Sequence, residues 1–449
     1  MKLQTKSILA LALAVAASGA MAKVSPQEAA KLGKELTPMG AEKAGNKAGT
    51  IPAWTGGLKI DSSVDPLVNI FANEKPLFTI TAQNVDKHKA NLTAGQIALF
   101  AKYPETYTIP VYKTHRTVGY PQKIYDKVKS NATSAVLAEG GNGILNFDEV
   151  TPFPIPQNGM EAIWNHTTRY RGGPTDVTYT KLAVQPNGSF VPVTIQALAS
   201  HPNYVAEGFD AKKDDNILAY YMQSVKAPAR LTGNVLLVHE TLDQIKQPRM
   251  AWTYNAGQRR VRRAPQVAYD APSEGAGGMA TADQTDMYNG SPTKYDWKIL
   301  GKKEVYIPYN GYKLATPGEK YSDMLDKGHV KRDYMRYELH RVWVVEATLK
   351  AGERHIYGKR TFFMDEDSWQ IALVDQYDSR GELWRASENF ALHFQNQGAL
   401  LASGSAHHDL LSGGYLAALN NEEDEAYNFD YKPRRKDFTT SALRRSGKR

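Results

Sequence analysis

The sequence predicts a β-dominated α+β protein: a large antiparallel sheet preceded by an extended and partly helical N-terminal segment. Three observations carry this. From about Thr167 onward apolar residues recur at every second position, the period of a half-buried strand. Pro186-Asn187-Gly188 separates two such runs, and Asn-Gly tolerates the positive φ of a tight hairpin. Helix-starting signals sit earlier, at Ser25-Pro26, Thr93 and Pro121. The composition is globular: 449 residues, 42% hydrophobic and 23% charged, long enough to bury a large core without disulfides. Zero cysteine excludes thiolate metal sites, thiol nucleophiles and a lipid-modified cysteine anchor. Tyrosine (25) and tryptophan (7) outnumber phenylalanine (13), favouring surfaces that are apolar and polar at once.

The elements follow in order. Lys2 and Lys6 precede an apolar run over 8–17 and then Ala20-Met21-Ala22. That pattern predicts a cleaved secretory signal over 1–22, too short for a membrane span, with mature protein from Lys23 in the periplasm. Ser25 and Pro26 predict a helix over 25–36, and the Gly-rich stretch 40–57 an extended strap pinned by Trp54. Thr93 caps a helix over 94–103, stopped by Pro104; 106–120 reads as a strand; Pro121 opens a helix to about 138. Strands are predicted at 175–184, 189–198, 216–226, 231–241, 250–255, 258–263, 295–309, 334–350, 355–364, 369–378 and 382–388. The resulting organisation is an N-terminal segment over 23–165, a sheet domain over 166–395 and a C-terminal segment over 396–449. A loop at 264–292 is long enough to be functional or mobile, as a lid would be.

The last strands alternate most clearly. In 337–349 one face reads Tyr337, Leu339, Arg341, Trp343, Val345, and the other, wetter face Glu338, His340, Val342. Trp369, Ile371, Leu373, Asp375 and Tyr377 share a face in the same way. Each apolar face carries one charge, so Arg341 and Asp375 are expected near each other or near solvent in a cavity. Two readings stand: a pair that fixes strand register, and a polar anchor in an apolar pocket. The residues expected to line such a cavity are Trp252, Tyr254, Tyr337, Leu339, Trp343, Trp369, Leu373 and Tyr377. The competing reading is a filled core.

Catalytic constellations do not emerge. The chain has no G-x-S-x-G elbow, no H-E-x-x-H and no phosphate-binding loop. His407 and His408 are adjacent, so they point to different sides of any regular element. No cofactor or metal is expected. The hairpin 252–263 returns through Arg259, Arg260, Arg262 and Arg263, which point to both faces and call for carboxylates, rings or a ligand head group. The formal charge of +8 invites a nucleic-acid reading. Its distribution does not support one: the tail from Lys432 holds eight basic residues and one acid, leaving the mature body close to neutral. Such a tail either suits an anionic membrane or an acidic protein, at about 1 kcal/mol per charge at a membrane surface, or is a disordered, solubilising end.

Several stretches resemble one family of secreted bacterial proteins of unknown function. They are 36–46 with Pro38-Met39-Gly40, 51–57 with Pro52-Ala53-Trp54, 252–261, 295–310 with Tyr295-Asp296-Trp297 and Pro308-Tyr309-Asn310, and 359–369 with Asp365-Glu366-Asp367-Ser368-Trp369. Members are labelled as resembling outer-membrane lipoprotein-sorting proteins. The resemblance implies a fold similar to the LolA/LolB carriers, a curved antiparallel sheet or unclosed barrel wrapped over helices around an apolar cavity. It implies a Gram-negative periplasm, a hydrophobic or lipid-like ligand, and the company of a resistance-nodulation-division exporter and an outer-membrane protein. The family supplies no catalytic residues. This chain is about twice the size of those carriers and adds a long N-terminal segment. The expected function is therefore a carrier or adaptor for a hydrophobic molecule; the alternatives are an envelope assembly scaffold and a lipid- or ester-acting enzyme.

Overall fold

The computed structural model describes residues 24–264, 269–420 and 427–447. Residues 1–22, where a signal is expected, and the acidic stretch at 422–425 lie outside the described residues. Local signals explain the early helices. In α1 (Pro26–Ala29) the Ser25 hydroxyl accepts from the Glu28 amide at 3.2 Å. The helix is one turn long and not three, and Gly33, at φ 81°, holds the chain off the helical path. After β1 (Phe78–Ile80) comes α2 (Ala94–Lys102), whose Thr93 and Gln96 form a capping box. The predicted strand over 106–120 pairs only at β2 (Ile109–Val111). Beyond it the chain is tied to its neighbours partly by side chains, as where the Thr114 hydroxyl donates to the Leu339 carbonyl. Then follow α3 (Gln122–Ser134), the short pair β3 (Val136–Leu137) and β4 (Ile144–Leu145), and α4 (Gly159–Thr168).

The period-two segments form strands within a few residues of their expected bounds. β5 (Thr175–Val184) and β6 (Pro192–Ser200) flank the Asn-Gly hairpin, with Gly188 at φ 89°. α5 (Ala211–Asp214), β7 (Ile217–Ala227), β8 (Val235–Thr241), β9 (Met250–Asn255) and β10 (Arg260–Arg263) complete a meander. β11 (Tyr295–Pro308), α6 (Tyr321–Met324), β12 (Tyr337–Leu349), β13 (Lys359–Asp365), β14 (Ile371–Tyr377) and β15 (Leu383–Phe394) follow. β16 (Ala399–Asp409), β17 (Tyr415–Leu419), β18 (Tyr427–Asn428) and α7 (Thr440–Gly447) close the chain.

Sixteen described strands belong to one unclosed sheet, along a path β1-β2-β12-β13-β14-β15-β16-β17-β5-β6-β7-β8-β9-β10, with β11 beside β12 and β18 beside β5. It is antiparallel except where β2 meets β12 in parallel, which makes it mixed. Strands from before residue 165 and after residue 395 enter the same sheet as those between them. Three apolar clusters fill it: one between β11–β15 and α3/α4, one around α2, and one beneath the C-terminal residues.

Three expectations change. The Glu338/His340 side of β12 is not wetter: both are buried, because the segment 112–117 lies over them and the His115 amide donates to Glu338. The described part of the long loop packs inward. Asp283 pairs with Arg360 at 2.8 Å and Asp286 with Arg169 and Arg171, and Ala276 and Met287 are buried. The basic tail is not a loose end. Phe438 and Leu443 are buried against β7, β8 and β9, each worth about 1.5–3 kcal/mol if fully removed from water.

Candidate functional site

A ligand-sized cleft opens where the ends of β7–β9 meet α5 and residues 435–439, with a volume of about 470 Å³. Its floor is aromatic. Tyr220 stacks on Phe438 (5.4 Å, 16°) and meets the His239 ring edge-on at 4.9 Å. His239 Nε2 lies 2.8 Å from the Phe438 carbonyl, and burial keeps its imidazole below the usual range, so the floor is uncharged at neutral pH. The rim carries basic side chains: Lys213 pairs with Asp210 at 3.0 Å and Lys246 with Asp215 at 2.7 Å, while Lys212 has no carboxylate partner among the described residues. Arg435 is fixed: it grips Asp214 at 2.7 Å and donates to the Gly208 carbonyl at 2.6 Å. Burial opposes ionisation of Asp214, yet Arg435 and the Tyr220 hydroxyl outweigh it and hold the carboxyl low. Such an arrangement suits a molecule with an apolar body and an anionic end; its volume falls within the range of about 300–1,000 Å³ usual for small-molecule sites.

The eight residues expected to line a cavity, and their two polar anchors, are divided among separate places. Trp252 and Tyr254 lie beneath α7, and Trp252 meets His239 edge-on at 5.0 Å, which puts it directly behind the cleft. Tyr337 and Leu339 belong to the core around α2, where the Tyr337 hydroxyl donates to Glu388 at 2.7 Å. Leu373 sits in the larger core, and Tyr377 is half-buried with Lys359 Nζ 4.2 Å from its ring centre. Trp343 stacks on the fully buried Trp369, whose indole N–H donates to the Met39 carbonyl at 3.0 Å. Among the described residues these side chains pack against protein in separate clusters.

Arg341 and Asp375 do not meet. Arg341 donates to Glu366 at 2.6 Å and to the carbonyls of Glu42 and Ala44. Asp375 accepts from the Gly95 amide (3.0 Å) and the Thr93 hydroxyl (3.2 Å) at the start of α2. Each charge found its partner in a remote segment that strand alternation cannot reveal. Arg341 is part of a buried network that fastens the strap. Arg116 holds Asp367 bidentately (2.8 and 2.6 Å) and donates to the carbonyls of Glu42, Lys43 and Pro52. Lys302 bridges Glu42 and Glu366. The stretches 36–46, 51–57, 308–310 and 359–369 converge here. His340, Asp365 and Asp367 each bring one ligating atom within 4.8 Å of the others. Asp367 is already taken by Arg116, and Asp365 by the Ser368 and Tyr309 hydroxyls, so the cluster is a closed charge network.

Two serine hydroxyls flank His407, Ser387 Oγ 2.8 Å from Nδ1 and Ser405 Oγ 3.4 Å from Nε2, but burial drives that imidazole down to about 3, a weak base for taking a hydroxyl proton. His408 turns the other way, with Nδ1 3.0 Å from the Gly328 carbonyl.

Residues 79–444 match the model of a protein family of unknown function, DUF1329. The chain belongs to that family. It is 55% identical over 444 residues to the uncharacterized protein PA3922 of Pseudomonas aeruginosa, covering 98% of this chain and 97% of that one. Among solved structures it is similar to a domain described as that of an outer membrane lipoprotein-sorting protein from Vibrio parahaemolyticus (14% identity, TM-score 0.44, 64% of this chain and 98% of that one). A DUF1329 family protein from Desulfovibrio piger gives 15% identity and a TM-score of 0.41 over 60% and 90% of the two chains. A LolA superfamily protein from Nitrosomonas europaea gives 13% and 0.39 over 64% and 100%.

None of the residues lining the cleft of this DUF1329 chain is among those the sheet's periodicity singles out; Trp252 only backs it. One local signal was available. Phe438, Ala442 and Leu443 are spaced as one apolar face of a helical turn, which a solvated basic tail has no need of. No helix among the described residues is long and apolar enough to cross a membrane.

Proposed function

We propose that the protein is a non-catalytic carrier or adaptor of the bacterial periplasm that binds a hydrophobic, lipid-like molecule and works between an inner-membrane exporter and an outer-membrane protein. The observation that carries this reading is the cleft: an uncharged aromatic floor beneath a rim of basic side chains, Lys212 among them without a carboxylate partner in the described residues. This reading puts the ligand at the end of the meander. Trp252 and Tyr254 support the wall of the cleft, and the other expected lining residues hold the fold. The signal pattern over 1–22 supports the compartment, and the low basicity that burial gives His407 supports a role without chemistry.

Gently purified protein should carry a co-purifying amphiphile by mass spectrometry and take up a fluorescent fatty acid. Ile217→Trp, which fills the cleft, should abolish uptake and leave the unfolding transition in place. No bound amphiphile together with no probe uptake would sink the carrier reading.

A further inference from the structure

One edge of the large sheet is an arginine array. β10 ends the strand path and, among the described residues, pairs only with β9. Arg259, Arg260, Arg262 and Arg263 are all exposed, and none has a carboxylate partner among the described residues. Register explains their spread: Arg260 and Arg262 stand opposite Asn255 and Thr253, while Arg263 stands opposite Trp252 on the α7 side. Two further elements extend the array. The exposed Arg444 and Arg445 lie on α7, which packs along β9 and β10. The exposed Arg230 lies in the β7–β8 turn, whose Gly233 sits against Ala256 of the hairpin and Gly447 at the end of α7.

This concentration is not a by-product of composition. The segments 226–235, 250–264 and 438–447 contain no Asp or Glu at all. Elsewhere the fold neutralises its arginines closely, as at Arg116–Asp367 (2.6 Å), Arg360–Asp283 (2.8 Å) and Arg435–Asp214 (2.7 Å). Unpaired like charges held side by side repel, so this edge is complementary to negative charge brought from outside. The residue type narrows the partner. A guanidinium is a planar fork that meets phosphate oxygens two at a time. The arginines project from a strand, a turn and a helix along one edge. No large apolar side chain is exposed in the three segments, so contact by charge is expected rather than insertion.

We propose that this edge docks on a bilayer surface bearing anionic phosphate headgroups. α7 follows directly on Phe438 and Thr439 of the cleft, so docking brings the cleft beside the membrane. The docking stands on the edge alone and does not depend on what the cleft holds.

The test is co-sedimentation with vesicles of phosphatidylcholine alone or mixed with phosphatidylglycerol. The protein is expected to bind only the anionic vesicles, and to release as salt shortens the Debye length to about 8 Å and below. Each charge at such a surface is worth about fivefold in partitioning, so Arg260→Gln/Arg262→Gln/Arg263→Gln should weaken binding about a hundredfold. A control removing three exposed lysines elsewhere, Lys31→Gln/Lys34→Gln/Lys47→Gln, should bind as the parent does. Unfolding transitions and fatty-acid uptake are followed on the same proteins; uptake should stay unchanged, which separates this proposal from the carrier reading. No binding to anionic vesicles, equal binding to neutral ones, or equal loss in the lysine control overturns it. Stronger attachment to polyglutamate than to the vesicles would assign the edge to an acidic protein and overturn it as well.

Discussion

Asp375 offers the sharpest quantitative test of the interior. Its carboxylate is buried at the start of α2, and burial pushes it up to about 6 from 3.8, against the hydrogen bonds from Gly95, Thr93 and Ala94 and the attraction of Lys303. Between those two values the native state holds a proton that the unfolded chain has released. Stability must therefore fall as pH rises through that window and stay level, for this group, above it. At about 1.36 kcal/mol per pH unit the whole effect is about 3 kcal/mol. Asp375→Asn keeps an oxygen to accept from the Gly95 amide and the Thr93 hydroxyl, and removes the ionisation. Urea unfolding of both proteins should give similar stabilities near pH 4, with the variant ahead by up to about 3 kcal/mol near pH 8. Parallel pH profiles, or a variant that loses ground as pH rises, would show that Asp375 is ionised with its carboxyl at or below the usual range, and the burial argument would fail.

Other outcomes follow from the same geometry. Gly95→Ala should destabilise by about 1–3 kcal/mol despite the better helix former, because a Cβ there would lie 2.4 Å from Asp375 Oδ1 and 2.7 Å from the Ala386 Cβ; denaturant midpoints check it. Burial holds Lys181 down to about 8, against the pull of Glu274. The unfolded chain keeps that proton up to about 10.5, so native stability should rise as pH climbs through this range, and Lys181→Met should flatten the rise. Arg116→Lys loses the bidentate grip on Asp367 and the bonds to the strap carbonyls. It should cost about 3–5 kcal/mol and open 37–57 to limited proteolysis, since a buried charge is left poorly paired.

The β5–β9 and β11–β14 strands, the Asn-Gly hairpin and the capped start of α2 were legible in sequence. Period two, a turn dipeptide and an N-cap each act over fewer than about ten residues, so the chain states them locally. β16 was missed because Ala399–Asp409 is buried on both sides, and small and polar residues there show no alternation to read. The charge on each apolar strand face was visible, but its partner was not. Arg341 and Asp375 are satisfied by Glu366, by strap carbonyls and by the first turn of α2, at separations of tens to hundreds of residues. The same holds for the candidate site. Trp252 and Tyr254 were marked by their strand, whereas the cleft exists only because Phe438 and Arg435 return from the end of the chain to close against β7 and β8. Sequence by itself determined the class of fold and which side chains are aromatic or charged. Tertiary structure decided which of them are neutralised, which fill the core and which face outward, because burial and pairing depend on segments that only folding brings together.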